Sequence, residues 1–355
     1  MTVDAIAAVR QAAPDAAIDL VVGEWNEALA RLIPGVDRVE TLSAGWLARG
    51  AGSLPFVAMA RRALGWRARG YDLAINFEGD IRSNVLLGLS GARRRVGFGM
   101  AGGGAMLTDC VPFDPTVHTR SNALRLAERA FDLPSGSREP FGPGPGETRL
   151  RVPDDARARA ASLLAGIADG TSIVVVHAGG GREIKQWNLD RFADVASRLA
   201  ASHGATIVLS GDDGDRPLVD AVKAGIDPSV RCVDLVDRAD LVTLAAVLEA
   251  ADLLVTGDTG PMHLASALDV PVVAVFGPSD PTRWGPSSAW ARVVRVSLPC
   301  SPCNRIRRPP ERCLGRVPDC LAAVSAGAVY DAAASLLDAH AGGRHDRRPA
   351  ARTDG

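Results

Sequence analysis

The sequence has no uncharged apolar run of about 18 residues, and its start carries no basic segment followed by an apolar one. No membrane span and no signal peptide can be read from it. A cytoplasmic setting is expected, with at most peripheral contact at the inner face of the cytoplasmic membrane. There is no charge excess of either sign. Forty basic residues face 41 acidic ones for a formal net charge of −1, so nothing global favours nucleic acid. Cysteine is scarce, and six in 355 residues do not make a disulfide scaffold. No G-x-G-x-x-G follows the first strand-like run of either half, which argues against a nicotinamide dehydrogenase. The acidic turn after the Thr206 to Leu209 strand is not read as a metal bridge to a diphosphate, because the side chains of the adjacent Asp212 and Asp213 tend to diverge. Neither a metal nor a cofactor is expected.

The length suits two domains, and 47% hydrophobic content lets each bury a core. In the first half, helical and strand patterns alternate: helix Thr2 to Ala13, strand Ile18 to Val22, helix Trp25 to Leu32, strand Arg38 to Leu42. A Gly-rich break from Gly45 to Gly52, helix Leu54 to Arg69, strand Tyr71 to Phe77 and helix Asp80 to Leu89 follow, with a helix from His118 to Phe131. This is an α/β, doubly wound, Rossmann-like order that opens on a helix, its first strand missing. The Pro- and Gly-rich stretch 133–149 reads as a linker between an N-terminal domain, 1–132, and a C-terminal domain, 150–340. The second half alternates through strands Ser172 to His177, Thr206 to Leu209 and Arg231 to Leu235, then Asp252 to Thr256, Val270 to Phe276 and Trp290 to Val296. A helix from Cys320 to His340 precedes a tail, 341–355, expected to be disordered.

Three polar turns end strands of the second half, where ligands bind in open α/β sheets. At Gly179, Gly180 and Gly181, backbone N–H groups could approach a phosphate that Lys185 neutralises. At Asp212 a carboxylate could bind a ribose, although Asp212 and Asp215 could equally cap the next helix. The turn Gly257, Asp258, Thr259, Gly260 precedes a helix with proline in its first turn, so its open N–H groups and dipole favour an anion, with His263 facing the same crevice.

In the first half, Arg82, Arg93, Arg94 and Arg120 could hold an anionic acceptor if they converge, while the run Arg93 to Arg95 could equally be a solvated face. Cys300, Cys303, Cys313 and Cys320 leave two readings: a zinc site, for which the second pair is too widely spaced, or reduced structural or acceptor-lining thiols. Cys110 and Cys232 read as core residues.

The stretches HAGGGREIKQWNLDRFADVASRL, LSGDDGDRP and VTGDTGPMHLASALDVPVVAVFGPSDPTRWGP, with the Pro-Cys-Ser-Pro-Cys beyond, resemble glycosyltransferase family 9, the ADP-heptose:lipopolysaccharide heptosyltransferases. LAINFEGDIRSNVLLGLSGARRRVGF carries a weaker likeness in the first half. The resemblance implies a GT-B fold, two Rossmann-like domains facing a cleft, with the donor held C-terminally and the acceptor N-terminally. It implies inverting, metal-independent transfer from a nucleotide sugar to a glycolipid or oligosaccharide acceptor. Lys185 and the Gly179 to Gly181 turn match positions that meet the donor diphosphate. Asp212 lies near a ribose-binding acid. Asp258, Thr259, Gly260 and His263 match the family's most specific motif.

The family opens with a strand and a Gly-Asp loop whose aspartate is the general base. Here Asp4 to Arg10 matches the helix after that loop, so Asp4 is not the base and no catalytic residue is assigned. A start codon upstream of Met1, with about 15–30 further residues in frame, is expected. Without it, the base would be sought among Asp80, Glu78 and His263. A nucleotide-sugar epimerase and a nucleotide-sugar-binding protein without transfer are the rival readings.

Overall fold

The computed structural model describes residues 1–46, 54–133 and 150–341, so most of the expected break at 45–52, nearly all of the expected linker and the tail lie outside the described residues. The chain forms two compact units, Met1–Arg151 and Val152–Gly355.

The first unit runs α1 (Val3–Ala12), β1 (Asp19–Val22), α2 (Glu27–Ala30), β2 (Arg38–Thr41), α3 (Phe56–Gly65), β3 (Leu73–Asn76), α4 (Ile81–Leu89), β4 (Arg94–Phe98), β5 (Asp109–Val111) and α5 (Thr119–Ala130). Its strands are parallel but fall into two sheets, β1–β2 and β3–β4–β5, and no described strand bridges them. A polar clamp joins the two at their starts. Asp19 accepts from the Tyr71 hydroxyl at 2.5 Å and from Arg69 at 2.9 Å, and Arg69 also reaches Glu40. Burial and the bond to Asp19 push the Tyr71 phenol up. Burial would raise Glu40 too, but donors from Arg69 and Trp66 hold it below the usual carboxylate value.

Strands β4 and β5 were not expected. The arginine run hid β4, because a charged start looks like a loop until its partners are known. Arg94 donates to Asp132 at 2.8 Å and to Asp109 at 3.2 Å, which lets a strand begin on a guanidinium. A G-x-G-x-x-G spacing does occur, at Gly97, Gly99 and Gly102, but it leads from β4 into β5 and not into a helix. Cys110 corrects an expectation of burial. It lies exposed on the outer face of β5.

The second unit contains α6 (Asp154–Leu163), β6 (Ile173–His177), α7 (Leu189–His203), β7 (Thr206–Leu209), α8 (Arg216–Gly225), β8 (Cys232–Asp234), α9 (Leu241–Ala250), β9 (Leu253–Gly257) and α10 (Gly260–Ala267). It continues with β10 (Val272–Val275), α11 (Pro281–Trp284), β11 (Ala291–Val294), α12 (Asp319–Ala322) and α13 (Ala326–Ala341). One parallel sheet has the order β11-β10-β9-β6-β7-β8. The chain order reverses between β6 and β9, and a crevice forms beyond the carboxyl ends at such a reversal. Both strands are buried throughout and consist of Val, Leu, Ile and Thr up to their polar ends, as a strand covered on both faces requires. Helix α7 stops at Gly204, whose φ of 60° is the left-handed cap that glycine takes without steric cost.

The expected terminal helix is two helices. The Val324 carbonyl accepts from Trp187 Nε1 at 3.1 Å and from Arg191, and Ser325 Oγ caps the Ala328 N–H at 3.2 Å, so α13 starts afresh. No described helix is long and apolar enough to cross a membrane.

Arg120 pairs with Asp4, whose side chain is only 4% exposed, and so ties α5 to α1. Arg120→Met leaves that carboxylate buried without its cation and is expected to cost about 3 kcal/mol. An unchanged urea midpoint in the variant would show that the pair contributes nothing.

Candidate functional site

The reversal between β6 and β9 sets the site. The Thr256 hydroxyl, near the end of β9, donates to the carbonyl of His177, the last residue of β6, at 2.9 Å and locks the two strand ends together. The chain leaves β6 through Gly179 to Gly181 into a short turn, Glu183–Lys185, and leaves β9 directly into Asp258. Lys185 Nζ then donates to the Asp258 carbonyl at 2.6 Å and to its carboxylate at 3.1 Å. Ser279, buried beyond β10, donates to the same carboxylate oxygen at 2.5 Å. Asp258 is thereby held by two donors from two other loops.

Lys185 is one of only two lysines among 40 basic residues. This chain builds its ion pairs almost wholly from arginine. A lysine here places a compact ammonium where a planar guanidinium would not make the same two contacts.

Helix α10 starts beside this cluster without a side-chain cap. Its N-cap residue, Thr259, instead turns its hydroxyl to Thr256, 3.0 Å away. Helices α4, α5, α9 and α11 start on a side-chain cap, whereas α10 is among those that start without one. Uncapped first-turn N–H groups with the positive dipole end attract an anion. They open onto a cavity of about 990 Å³, within the range of small-molecule sites.

Lys185, Asp258, Thr259, Gly260 and His263 all line that cavity, so the structure assembles half of the expected donor residues in one place. Gly179, Gly180, Gly181, Asp212 and Gly257 are not in its lining. Asp212 takes the capping role that the sequence left open beside the ribose reading. It accepts from the Asp215 N–H while Asp215 accepts from the Asp212 N–H, a reciprocal cap on the turn that leads into α8. Gly179 has a structural reason as well, since a Cβ there would fall 2.2 Å from the Asp215 carboxylate. Sequence reading missed Ser279, Arg283, Trp284 and Asn304 to Arg308 as cavity residues. The run GPSDPTRWGP beside the Asp258 motif held the signal for the first three; nothing local marked the last five.

In the first unit the four candidate arginines do not converge. Arg82 forms a two-point pair with Asp80 and lies 4.4 Å over the Trp46 ring; Arg93 pairs with Asp72; Arg94 with Asp109 and Asp132; Arg120 with Asp4. Arg93 and Arg94 sit at the amino end of β4, whereas Arg82 follows the carboxyl end of the parallel strand β3, so Arg82 lies at the opposite end of the strands from the other two. The Arg82 side chain also holds Asp80 below the usual carboxylate value, which makes Asp80 a weak base.

The four late cysteines line a second, small cavity of about 30 Å³ with Ile184 and Pro278. Among the described residues no three His, Cys, Asp or Glu side chains are grouped to hold a metal ion. All six cysteines are free thiols. Burial pushes Cys320 up, so alkylation in the native state is expected to be slowest there and fastest at the exposed Cys110 and Cys300. Equal rates at the three would contradict this placement.

The model of glycosyltransferase family 9 (heptosyltransferase) matches residues 59–313. The chain belongs to glycosyltransferase family 9. Among curated members, lipooligosaccharide heptosyltransferase 2 of Campylobacter jejuni is 30% identical over 123 residues, 34% of this chain and 38% of that protein. Among solved structures, the family 9 glycosyl transferase of Veillonella parvula superposes with a TM-score of 0.78 at 23% identity over 95% of this chain and 93% of that one. The E. coli ADP-heptose lipopolysaccharide heptosyltransferase II gives 0.75 at 19% identity over 96% and 95%. The fold is therefore that of the family's GT-B members, α/β with parallel sheets.

The switch-point packing has a pH consequence. His177 is buried with Nδ1 3.1 Å from the Ser210 carbonyl, and burial holds its pKa below the usual 6.5. The unfolded chain therefore binds a proton that the fold refuses, so stability is lost as pH falls below about 6.5. His177→Asn is expected to flatten the fall in thermal midpoint between pH 7 and pH 5. An equal slope in variant and wild type would exclude His177 as the cause.

Proposed function

We propose that this chain transfers a heptose from ADP-heptose to a lipopolysaccharide core or related cell-envelope glycan, with inversion at the sugar carbon and without a metal. One observation carries the reading: the uncapped start of α10 and Lys185 meet at one cavity on the switch point of the second unit. Family membership and the ADP-heptose activity of the E. coli neighbour suggest the sugar and the nucleotide.

When the acceptor hydroxyl attacks the sugar carbon, the bond to the diphosphate breaks and negative charge builds on the leaving group. First-turn N–H groups of α10 and the Lys185 ammonium face the place where that charge develops. Asp258 and Ser279 fix the direction of the ammonium before substrate arrives, so little reorganisation is needed. The chemistry of the lining supports a metal-free route. The lining holds one carboxylate, Asp258, one of whose oxygens accepts from both Lys185 and Ser279, whereas a divalent ion bridging to a diphosphate draws on several oxygen ligands.

Lys185→Ala and Asp258→Ala are expected to lower the transfer rate by about 10²–10³ with the thermal midpoint nearly unchanged, measured as ADP release with acceptor present. Lys185→Arg should not restore it. Wild-type rates in both alanine variants would sink the assignment. Transfer is also expected to continue at the same rate in EDTA. Its loss there, reversed by a divalent ion, would contradict the metal-free route.

A further inference from the structure

Nearly every arginine considered above is spent on a carboxylate, but the loop Asn304 to Arg308 is different. Arg305, Arg307 and Arg308 are exposed, line the 990 Å³ cavity, and have no ion pair or side-chain hydrogen bond among the described residues. The loop itself is anchored. The Asn304 N–H donates to the Pro278 carbonyl at 2.8 Å, and Asn304 Oδ1 accepts from the Asp280 N–H at 3.0 Å. Ser301 adds a bond from its hydroxyl to the Gly277 carbonyl at 2.7 Å. Three bonds thus fasten the loop to the turn that also carries Ser279, and the arginines are held at the cavity.

The charge at this cavity exceeds what a sugar diphosphate uses. Its lining holds Lys185, Arg283, Arg305, Arg307 and Arg308 against a single carboxylate, Asp258. A nucleotide-sugar diphosphate brings one negative charge on each phosphorus. The N–H groups of α10 and Lys185 are the groups placed for it, so the three unpaired guanidiniums remain in surplus. Guanidinium pairs with phosphate and carboxylate through parallel donors.

From this we infer that Arg305, Arg307 and Arg308 form a second anion subsite, which binds a phosphate or carboxylate group of the glycan acceptor beside the donor. The inference rests on the donor reading of the same cavity, and it assigns acceptor recognition to residues of the C-terminal unit. It also explains why the arginines of the first unit need not converge: each already has its own carboxylate.

The test is calorimetry on the full chain with two probes, ADP and deacylated lipopolysaccharide core oligosaccharide, in wild type and in the triple variant Arg305→Gln, Arg307→Gln, Arg308→Gln. The oligosaccharide is used intact, with phosphates removed by phosphatase, or with its carboxyl groups also reduced. The variant is expected to bind the intact oligosaccharide about tenfold or more weakly, at an ADP affinity within about twofold of wild type. The phosphatase-treated and fully neutralised samples show which acidic group is read, and the fully neutralised one should bind both proteins alike. Loss of ADP affinity with oligosaccharide binding unchanged would overturn the inference and assign the arginines to the donor. No change in either probe would reduce them to a solvated face. Failure of wild type to bind ADP would sink the donor reading alone, since the oligosaccharide titration without ADP still decides the arginine loop.

Discussion

The contact on which the rest depends is the one between Lys185 and Asp258. It exists because a parallel sheet reverses its strand order between β6 and β9, so that residues 73 positions apart leave the sheet side by side. Buried Val, Leu and Ile hold the two strands in register, and the Thr256 hydroxyl ties their ends. The cluster is then built from three loops: Lys185 after β6, Asp258 after β9, Ser279 after β10. Helix α10 contributes what no side chain supplies, a set of open N–H groups fixed by the backbone.

Charge in this protein is divided between holding the fold and meeting ligands. In the first unit, Arg69, Arg94 and Arg120 are enclosed by carboxylates and tie strands and helices together. In the second, Arg216 serves Asp234 in the same way, and that bond holds Asp234 below the usual carboxylate value against the opposing effect of burial. Such pairs order the surface and contribute little each where they are exposed. The residues at the cavity follow another rule. Lys185 has a partner that directs it, and the arginines of the Asn304 to Arg308 loop have none among the described residues, which leaves their donors open to an anion.

Much of this could be read from the chain. The apolar runs of the second half gave β7 with its bounds, because a buried parallel strand reads as a short apolar run between turn signals. Asp258, Thr259, Gly260 and His263 were legible as a site, since a strand, a polar turn and proline in the first turn of a helix have a joint physical meaning. Asp212 stayed open between two readings because a capping aspartate and a ribose-binding aspartate occupy the same kind of turn. Strand β4 was hidden by arginines whose partners, Asp109 and Asp132, lie far along the chain. Ser279 and the Arg305 to Arg308 segment needed the fold, because only the packing of loops from separate strands brings them to Asp258.

The central claim is that Lys185 and Asp258 act as one unit toward a diphosphate. A double-mutant cycle on ADP affinity, with Lys185→Met, Asp258→Asn and both together, tests it most directly. The account predicts that each single change weakens binding and that the two are non-additive by about 1 kcal/mol or more. Tight ADP binding by wild type and by all three variants would contradict it.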